Sequence, residues 1–270
     1  MAHGTELLSE RPRTLTELRG LLAARWPDHD ATAMAYAVRN LVALVQVPPR
    51  GLWNHSGQAT WATTESWLAR PLDPGGSVAE LVLRYLAAFG PASVNALQTW
   101  SGLTRLREVT ERLQPRLRRF QDQNGVELLD LPDAARPDPD TPVPPRFLPE
   151  CDNTLLSHAD PSRIIPGGRR TARPAGSGAV LGSVLIDGFR RATWTITRER
   201  DSATLHVQPF KRLPPTDISA LSAEGAQLLA FAAANRPNHD IHLAAPAGSD
   251  VGQSGGGPVR SRNPLYGRHP

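Results

Sequence analysis

Arginine side chains are the residues of this sequence with the clearest capacity for chemistry. Of the 30 basic residues only Lys211 is a lysine, and the formal net charge is +4. The positive excess is concentrated in residues 160–212, which hold ten basic and four acidic side chains. A localised positive surface attracts polyanions, and a guanidinium group can donate two parallel hydrogen bonds to phosphate oxygens. The sequence therefore predicts a surface that binds nucleic acid, while an arginine-rich composition typical of GC-rich genomes is the alternative explanation.

Eleven arginines and one tryptophan are the candidates for contact with DNA. The arginines suit the phosphate oxygens, and the tryptophan ring, close to an arginine in the loop PPRGLWNHSGQ, can stack on a base. The candidates are Arg39, Arg50, Trp53, Arg105, Arg107, Arg112, Arg118, Arg163, Arg169, Arg170, Arg190 and Arg191. For the tryptophan, a hydrophobic lid over its own domain is the competing interpretation.

Patterns for catalysis, metals and cofactors are weak. Ser157, His158 and Asp160 are close in sequence, but a catalytic triad is assembled by the fold, and no nucleophile-elbow motif is present. The eight histidines lack paired ligand spacing, and the single cysteine, Cys151, excludes a disulfide framework and a cysteine-based zinc site. Walker A and GxGxxG motifs are absent from the sequence. We therefore predict no catalytic residue, no metal and no cofactor.

The arginines around position 110 lie in a pattern of three helices and a hairpin. Helical periodicity starts after Ser77, and two shorter helical patterns follow, the second with Thr104 as its cap. Asn124 and Gly125 then separate two short apolar stretches, which is the strongest local signal for a β-hairpin. Such an order is typical of a winged helix, whose third helix is aimed at DNA. We predict a winged-helix unit over 71–132, with a protein-contact module as the alternative.

Residues 1–70 repeat this plan less completely. Thr14 and Glu17 have the spacing of a capping box, and Asp30 is placed to cap a second helix. Strand-like stretches then flank the tryptophan loop. Few residues precede the capping box, so we predict a winged-helix unit that is clipped at its N-terminus.

The rest of the chain predicts a linker, a β-rich domain and a tail. Residues 133–149 are rich in proline and acidic residues, which favours an extended linker. β-Rich runs and a terminal helix follow within 150–246, where Asp187 and Gly188 predict a hairpin turn. Residues 247–270 are of low complexity and are predicted to be disordered. The expected fold class is α+β, with tandem winged-helix units and a β-rich C-terminal domain.

The sequence contains no signal for a membrane. No apolar run approaches the ~18 residues of a membrane span, and the segment MAHGTELLSERPR lacks the apolar stretch of a signal peptide. No heptad pattern indicates a dimerisation helix. We therefore predict a cytoplasmic, nucleoid-associated protein that binds duplex DNA as a monomer.

Four segments resemble one protein family: VQVPPRGLW (45–53), ELLDLP (127–132), RFLPECDNTLLSHADPSRII (146–165) and LIDGFRRATWTI (185–196). They are similar to the winged-helix DNA glycosylases typified by AlkZ and YcaQ, and most of all to the actinobacterial members. The resemblance extends over residues 5–245, and its third segment is the most specific. It implies tandem winged helices in a C-shaped arrangement around duplex DNA, and an activity that excises alkylated bases.

One departure from the family pattern decides the functional expectation. The resemblance implies a catalytic motif of glutamine, an apolar residue and then glutamine or aspartate, which would activate the attacking water. The tripeptide QVP at 46–48 fails at its third position, and QDQ at 121–123 has a polar middle residue. We therefore expect a DNA-binding protein without base-excision activity. The alternatives are an active glycosylase whose N-terminal catalytic segment is missing from this sequence, and a winged-helix transcriptional regulator.

Overall fold

The computed structural model describes residues 1–53, 55–73, 75–167 and 181–246. The chain divides into two compact units, which meet in the sequence at Ser77 and Val78. Helices and sheets occur in both units, which confirms the predicted α+β class. Arg169, Arg170 and the predicted tail 247–270 lie outside the described residues.

The first unit combines short helices with a three-stranded antiparallel sheet. Its described helices are α1 (Ala2–Glu10), α2 (Leu15–Arg25), α3 (Ala31–Leu41) and α4 (Thr64–Leu68). Its strands are β1 (Arg13–Thr14), β2 (Leu44–Gln46) and β3 (Thr60–Thr63), in the order β1-β3-β2. Strand β3 pairs with both neighbours in antiparallel fashion.

Local hydrogen bonds explain where α2 and α3 begin. The hydroxyl of Thr14 accepts from the Glu17 amide, and the Glu17 carboxylate accepts from the Thr14 amide at 2.8 Å. This is the predicted capping box, in which each residue satisfies an amide of the other. The Asp30 carboxylate accepts from the amides of Thr32 and Ala33 at 2.8 and 3.0 Å. Both predicted caps are therefore confirmed.

The residues before the capping box form a helix, and the clipped unit stays a prediction. Residues 2–10, which we expected to be too few for a complete helix, form α1 and bury Leu7 and Leu8. These leucines join a core with Leu18 and Leu22 of α2. The short segment suffices because two adjacent leucines place enough apolar surface on the face that meets the neighbouring helices. The first unit thus has the order helix, strand, helix, helix, strand, strand, followed by the short helix α4.

The second unit begins with the same order of elements. Its first part contains α5 (Val78–Phe89), α6 (Val94–Ser101), α7 (Leu106–Arg112), β4 (Arg118–Gln121) and β5 (Glu127–Asp130). Strands β4 and β5 form the predicted hairpin. Between α5 and α6, Ala92 forms an isolated antiparallel bridge with Leu129, in the place that β1 takes in the first unit.

Helix α7 starts differently from the prediction. Its N-cap residue is Arg105 and not Thr104, and the Arg105 backbone is left-handed with φ at 61°. The amide of Leu106 donates to the side-chain oxygen Oε1 of Gln98 in α6, at 3.1 Å. Because the neighbouring helix satisfies this amide, no threonine cap is required.

A five-stranded sheet and one long helix complete the second unit. The strands are β6 (Arg146–Leu148), β7 (Gly182–Ile186), β8 (Phe189–Arg198), β9 (Ser202–Pro209) and β10 (Asn238–Leu243), in the order β10-β9-β8-β7-β6. Helix α8 (Pro215–Ala232) packs on one face, where Leu205, Leu221 and Leu229 are fully buried. Strand β10 is parallel to β9, and the other pairs are antiparallel.

Two of these strands were not predicted, and one predicted turn is present. Strand β6 lies inside the stretch 133–149 that we predicted as a linker, and β10 follows the helix that we expected to end the domain. Asp187 and Gly188 both have positive φ, 51° and 72°, as the short turn between β7 and β8 requires. The other domain boundaries stay predictions.

The segment after β6 joins the helices of the second unit to its sheet. The hydroxyl of Tyr85 in α5 donates to the carbonyl of Ser157. The indole of Trp100 in α6 donates to the Asn153 side chain at 3.3 Å. The backbone amide of Arg190 in β8 donates to the carbonyl of Ile164 at 2.8 Å. This segment, 146–165, is the one with the most specific family resemblance, and its contacts give it a structural role.

Candidate nucleic-acid interface

Helix α7 and the adjoining hairpin hold four of the predicted contacts. Arg107 and Arg112 are exposed on the helix. Arg105 pairs with Glu108 at 2.8 Å, and both side chains are exposed. Arg118 lies on the hairpin with its guanidinium carbon 5.0 Å from the centre of a phenylalanine ring. Exposed ion pairs are worth little, so the partner of Arg105 can be exchanged for a phosphate at small cost.

Arg163 lies at a cavity of about 690 Å³ between the helices of the second unit and the segment 158–163. Its guanidinium group donates to the carbonyl of Pro91 and to Nδ1 of His158. Arg107 lines the same cavity, and so do three carboxylates, those of Asp122, Glu127 and Asp160. Because acidic groups outnumber basic ones there, the cavity itself is poorly suited to an anion.

His158 is held neutral by its surroundings. Burial and, less strongly, the charge of Arg163 lower its pKa from 6.5 to about 4, while Asp160 acts in the opposite direction. Since Arg163 donates to Nδ1, the proton of the neutral ring is assigned to Nε2. The histidine thus acts as an acceptor that helps to orient the arginine.

Ser157, His158 and Asp160 form hydrogen bonds with different partners and not with one another. The Ser157 hydroxyl donates to the carbonyl of Thr154 at 2.8 Å. The Asp160 carboxylate accepts from the amide and the hydroxyl of Ser162, and these bonds lower its pKa. The arrangement lacks the hydroxyl–imidazole hydrogen bond that nucleophilic catalysis uses.

Arg190 and Arg191 are placed by the start of β8. Arg190 is half-buried, donates through Nε to the Ser183 hydroxyl at 2.8 Å, and lies 4.9 Å from the centre of the Phe210 ring. Burial lowers the pKa of Arg190. Arg191 is exposed, with its guanidinium carbon 5.5 Å from the centre of the Phe189 ring. Stacking occupies the face of a guanidinium group and leaves its N–H edge for a ligand.

In the first unit, Arg39 lies on α3 beside two aromatic rings. Its guanidinium carbon is 5.3 Å from the centre of the Trp61 ring and 5.8 Å from that of Tyr36. The arginine is exposed, and the rings restrict its orientation.

The predicted tryptophan lies in the loop between β2 and β3. Trp53 has 58% of its surface exposed and Leu52 has 50%. Arg50 donates to the carbonyl of Gly57 at 2.8 Å across this loop, and the His55 ring contacts the Trp53 carbonyl oxygen at 2.9 Å. The arginine therefore holds the loop together, while two large apolar side chains are presented to the outside. The exposure of Trp53 argues against the interpretation as a lid.

The predicted contacts are therefore spread over several surfaces. Arg107 and Arg163 line one cavity, and Arg190 and Arg191 line another. Lys211 and Arg212 line the second cavity as well, although sequence reasoning did not select them. The available signal was a pair of adjacent basic residues directly after the end of a strand, within the most basic part of the chain.

Among the described residues, no group of three or more histidine, cysteine, aspartate or glutamate side chains is arranged to hold a metal ion. None of the described helices is long and apolar enough to cross a membrane.

Comparison with known proteins identifies the family. The family model of the AlkZ-like DNA glycosylases matches residues 1–231. The chain belongs to this family, which confirms the resemblance to the AlkZ-type DNA glycosylases found in the sequence. Among solved structures, the Streptomyces sahachiroi DNA glycosylase AlkZ is similar, with 18% sequence identity and a TM-score of 0.57. The match covers 90% of this chain and 68% of that chain. No curated protein sequence matches the chain.

Proposed function

We propose that this protein binds duplex DNA through tandem winged-helix units as a monomer, and that its own residues do not excise a base. One observation carries the binding proposal: the order helix, strand, helix, helix, strand, strand occurs in the first unit and again in the second, where the isolated bridge at Ala92 takes the place of the first strand. This is the order of a winged helix, in which the third helix and the hairpin face DNA. In the second unit these elements carry Arg107, Arg112 and Arg118, all of them exposed.

Different parts of the chain would make different contacts with the duplex. The exposed arginines, together with Arg39, Arg163, Arg169, Arg170 and the pair at the start of β8, would bind phosphates and set the position of the protein. Trp53 and Leu52 would contact bases, since an exposed aromatic ring at the tip of a loop can stack on a base.

The absence of excision rests on the missing catalytic motif. Of the two glutamine tripeptides, QDQ at 121–123 lies in the hairpin turn, where Asp122 accepts from the amides of Asn124 and Val126 at 2.8 Å. A carboxylate that holds a turn is not available to activate water. The polar residues near His158 are also engaged in structural hydrogen bonds.

A duplex titration tests the binding proposal. Neutralising five or six phosphates predicts that log K falls against log salt with a slope of about −5 between roughly 50 and 200 mM salt. Fluorescence anisotropy of a labelled duplex measures this slope. R107A/R112A should weaken binding, while the matched variant E108Q/E111Q, which removes negative charge from the same helix, should tighten it. Absence of binding at the lowest salt, or binding without salt dependence, overturns the proposal.

Base excision is the second candidate, because the family is described as one of DNA glycosylases. Incubation of the protein with duplexes that contain alkylated purines, followed by alkaline cleavage, measures the abasic sites formed. We expect no more abasic sites than in a reaction without protein. An excess would overturn the second half of the proposal and leave the binding half intact.

A further inference from the structure

A basic cavity lies at one end of the sheet in the second unit. Its volume is about 800 Å³, and it is lined by the start of β8, by the segment that leads from β9 to α8, and by Ile165 to Gly167. Four cationic side chains line it: Arg190, Arg191, Lys211 and Arg212. Ile165 and Ile186, both buried, form part of its apolar wall.

The register of two strands brings the four cations together. Ala192 of β8 is paired with Pro209 of β9, and the ladder continues with a hydrogen bond of 2.9 Å from the Phe210 amide to the Arg191 carbonyl. Residues 190–191, at the start of β8, are thus close to residues 211–212, just after the end of β9, although about twenty positions separate them in the sequence. The proximity is a property of the sheet and not of a sequence motif.

The charges in this cavity are unbalanced. Asp187 and Asp217 also line it, so the cations exceed the carboxylates by two. In the described part of the chain, Arg191, Lys211 and Arg212 form no ion pair within 4.0 Å. Because two more cations than carboxylates line the cavity, repulsion among the cations is only partly offset, and an anion would relieve it.

Two of the cations are also held in place before any ligand arrives. Arg190 is fixed by Ser183 and by the ring of Phe210, and Arg191 is stacked on Phe189. A side chain that is already ordered loses less entropy on binding, which favours affinity. The lowered pKa of Arg190 shows that its charge is partly desolvated, and an anion would compensate for that loss.

We infer that this cavity binds a phosphate group of the DNA backbone, with Lys211 and Arg212 as contacts in addition to Arg190 and Arg191. The inference rests on the proposed DNA binding. The inference adds Lys211 and Arg212 to the predicted DNA contacts. It also assigns the ligand as a phosphodiester whose sugar lies against the apolar wall of the cavity.

The double variant K211A/R212A tests this assignment, with R198A/R200A as the matched control. Arg198 and Arg200 are exposed and lie at the opposite end of β8, so both variants remove two positive charges from the same sheet. In a duplex titration, K211A/R212A should make the salt slope shallower by up to about 1 and raise the Kd about tenfold. The control should keep the wild-type slope and lie within about twofold of the wild-type Kd.

The results separate failure of this assignment from failure of the proposed function. If the wild-type protein binds duplex with the expected slope and K211A/R212A behaves like it, the assignment is wrong and the proposed function stands. If the wild-type protein does not bind, the proposed function fails.

Inorganic phosphate, added at constant ionic strength, should not displace the duplex. Displacement at millimolar concentration would identify free phosphate as the ligand and overturn the assignment to the backbone. Thermal unfolding of both variants checks that they are folded.

Discussion

The carboxylate of Asp130 is fully buried, and the guanidinium group of Arg136 binds it at 2.9 Å. Asp130 ends the hairpin of the second unit, and its other oxygen accepts from the Leu131 amide at 2.8 Å. Arg136 belongs to the segment that leaves the hairpin, and it also donates to the carbonyls of Leu131 and Pro132. Arg136 thus compensates the buried charge of Asp130 and fixes the segment that follows the hairpin.

Replacing this arginine should destabilise the protein. R136A leaves the buried carboxylate without its countercharge, which is costly in a low-dielectric interior. Since 31% of the Arg136 side chain is exposed, water replaces part of the interaction. We therefore expect a loss of about 2 kcal/mol, seen as a fall in melting temperature of about 4–8 °C.

A surface ion pair provides the control for R136A. Arg146 pairs with Glu224 at 3.3 Å, with 54% and 29% of the side chains exposed. R146A should therefore change stability by at most about 1 kcal/mol. Equal melting temperatures for the two variants would show that burial of Asp130 does not matter to the folded state.

The features that could be predicted from sequence are those with local causes. The capping box of Thr14 and Glu17 and the turn at Asp187 and Gly188 depend on residues within a few positions of one another. The hairpin around Asn124 and Gly125 is of the same kind. Their hydrogen bonds and backbone angles are set by the side chains next to them, so the sequence pattern was sufficient.

The features that were missed depend on distant contacts. Strand β10 pairs in parallel with β9 only after the chain has crossed over through α8, and only two residues of its sequence NHDIHL, Ile241 and Leu243, are apolar. The cap at Arg105 depends on Gln98 in another helix. In the candidate site, Lys211 and Arg212 acquire their position from the register of β8 and β9, which no local pattern encodes.

The exposed tryptophan of the first unit should contribute to DNA binding. W53A removes an aromatic surface that can stack on a base, and such stacking is worth about 1–3 kcal/mol. The Kd for duplex should therefore rise by about five- to a hundredfold in an anisotropy titration. The salt slope should stay at the wild-type value, because no phosphate contact is lost.

Trp67 is the matched control, because it lies in the same unit and 48% of its surface is exposed. W67A should bind duplex like the wild-type protein. If W53A and W67A weaken binding to the same extent, the effect comes from general loss of structure, and the loop has no special role.

The neutral state of His158 makes stability depend on pH. Its pKa is about 4 in the folded protein and 6.5 when the ring is unperturbed, so between these values the unfolded chain binds the extra proton. The free energy of unfolding should therefore fall as the pH drops from 6.5 to about 4. Asp160 contributes at lower pH. Its pKa is lowered in the folded protein, so the free energy of unfolding that it contributes is lost as the pH falls below 3.8, the usual pKa of an aspartate.

Urea denaturation of H158Q at several pH values isolates this contribution. Glutamine does not titrate, so the loss of stability between pH 6.5 and 4 should be smaller than in the wild-type protein. The exposed His29 provides the control, and H29Q should reproduce the wild-type curve. Parallel curves for H158Q and the wild-type protein would mean that His158 is not buried in its neutral form.

Gly182 is the position in the sheet where a methyl group should do most harm. A Cβ atom there would overlap the indole ring of Trp194 and lie 2.8 Å from the backbone carbonyl of Leu148. That carbonyl accepts the Trp194 indole hydrogen bond at 2.8 Å, so G182A must move the ring and break the bond. Overpacking together with a lost hydrogen bond should cost about 2–4 kcal/mol in the free energy of unfolding.

The variant G20A, in α2, is the control for G182A, because it changes the flexibility of the unfolded chain without a steric clash in the folded protein. A Cβ atom at Gly20 meets no atom within 4 Å, so G20A restricts the unfolded chain without creating a clash. Alanine also favours the helix, and G20A should raise stability by up to about 1 kcal/mol. Urea denaturation of both variants measures the difference in sign. If G182A is as stable as G20A, the indole of Trp194 can leave its position at no cost, and its bond to Leu148 does not hold β6 to the sheet.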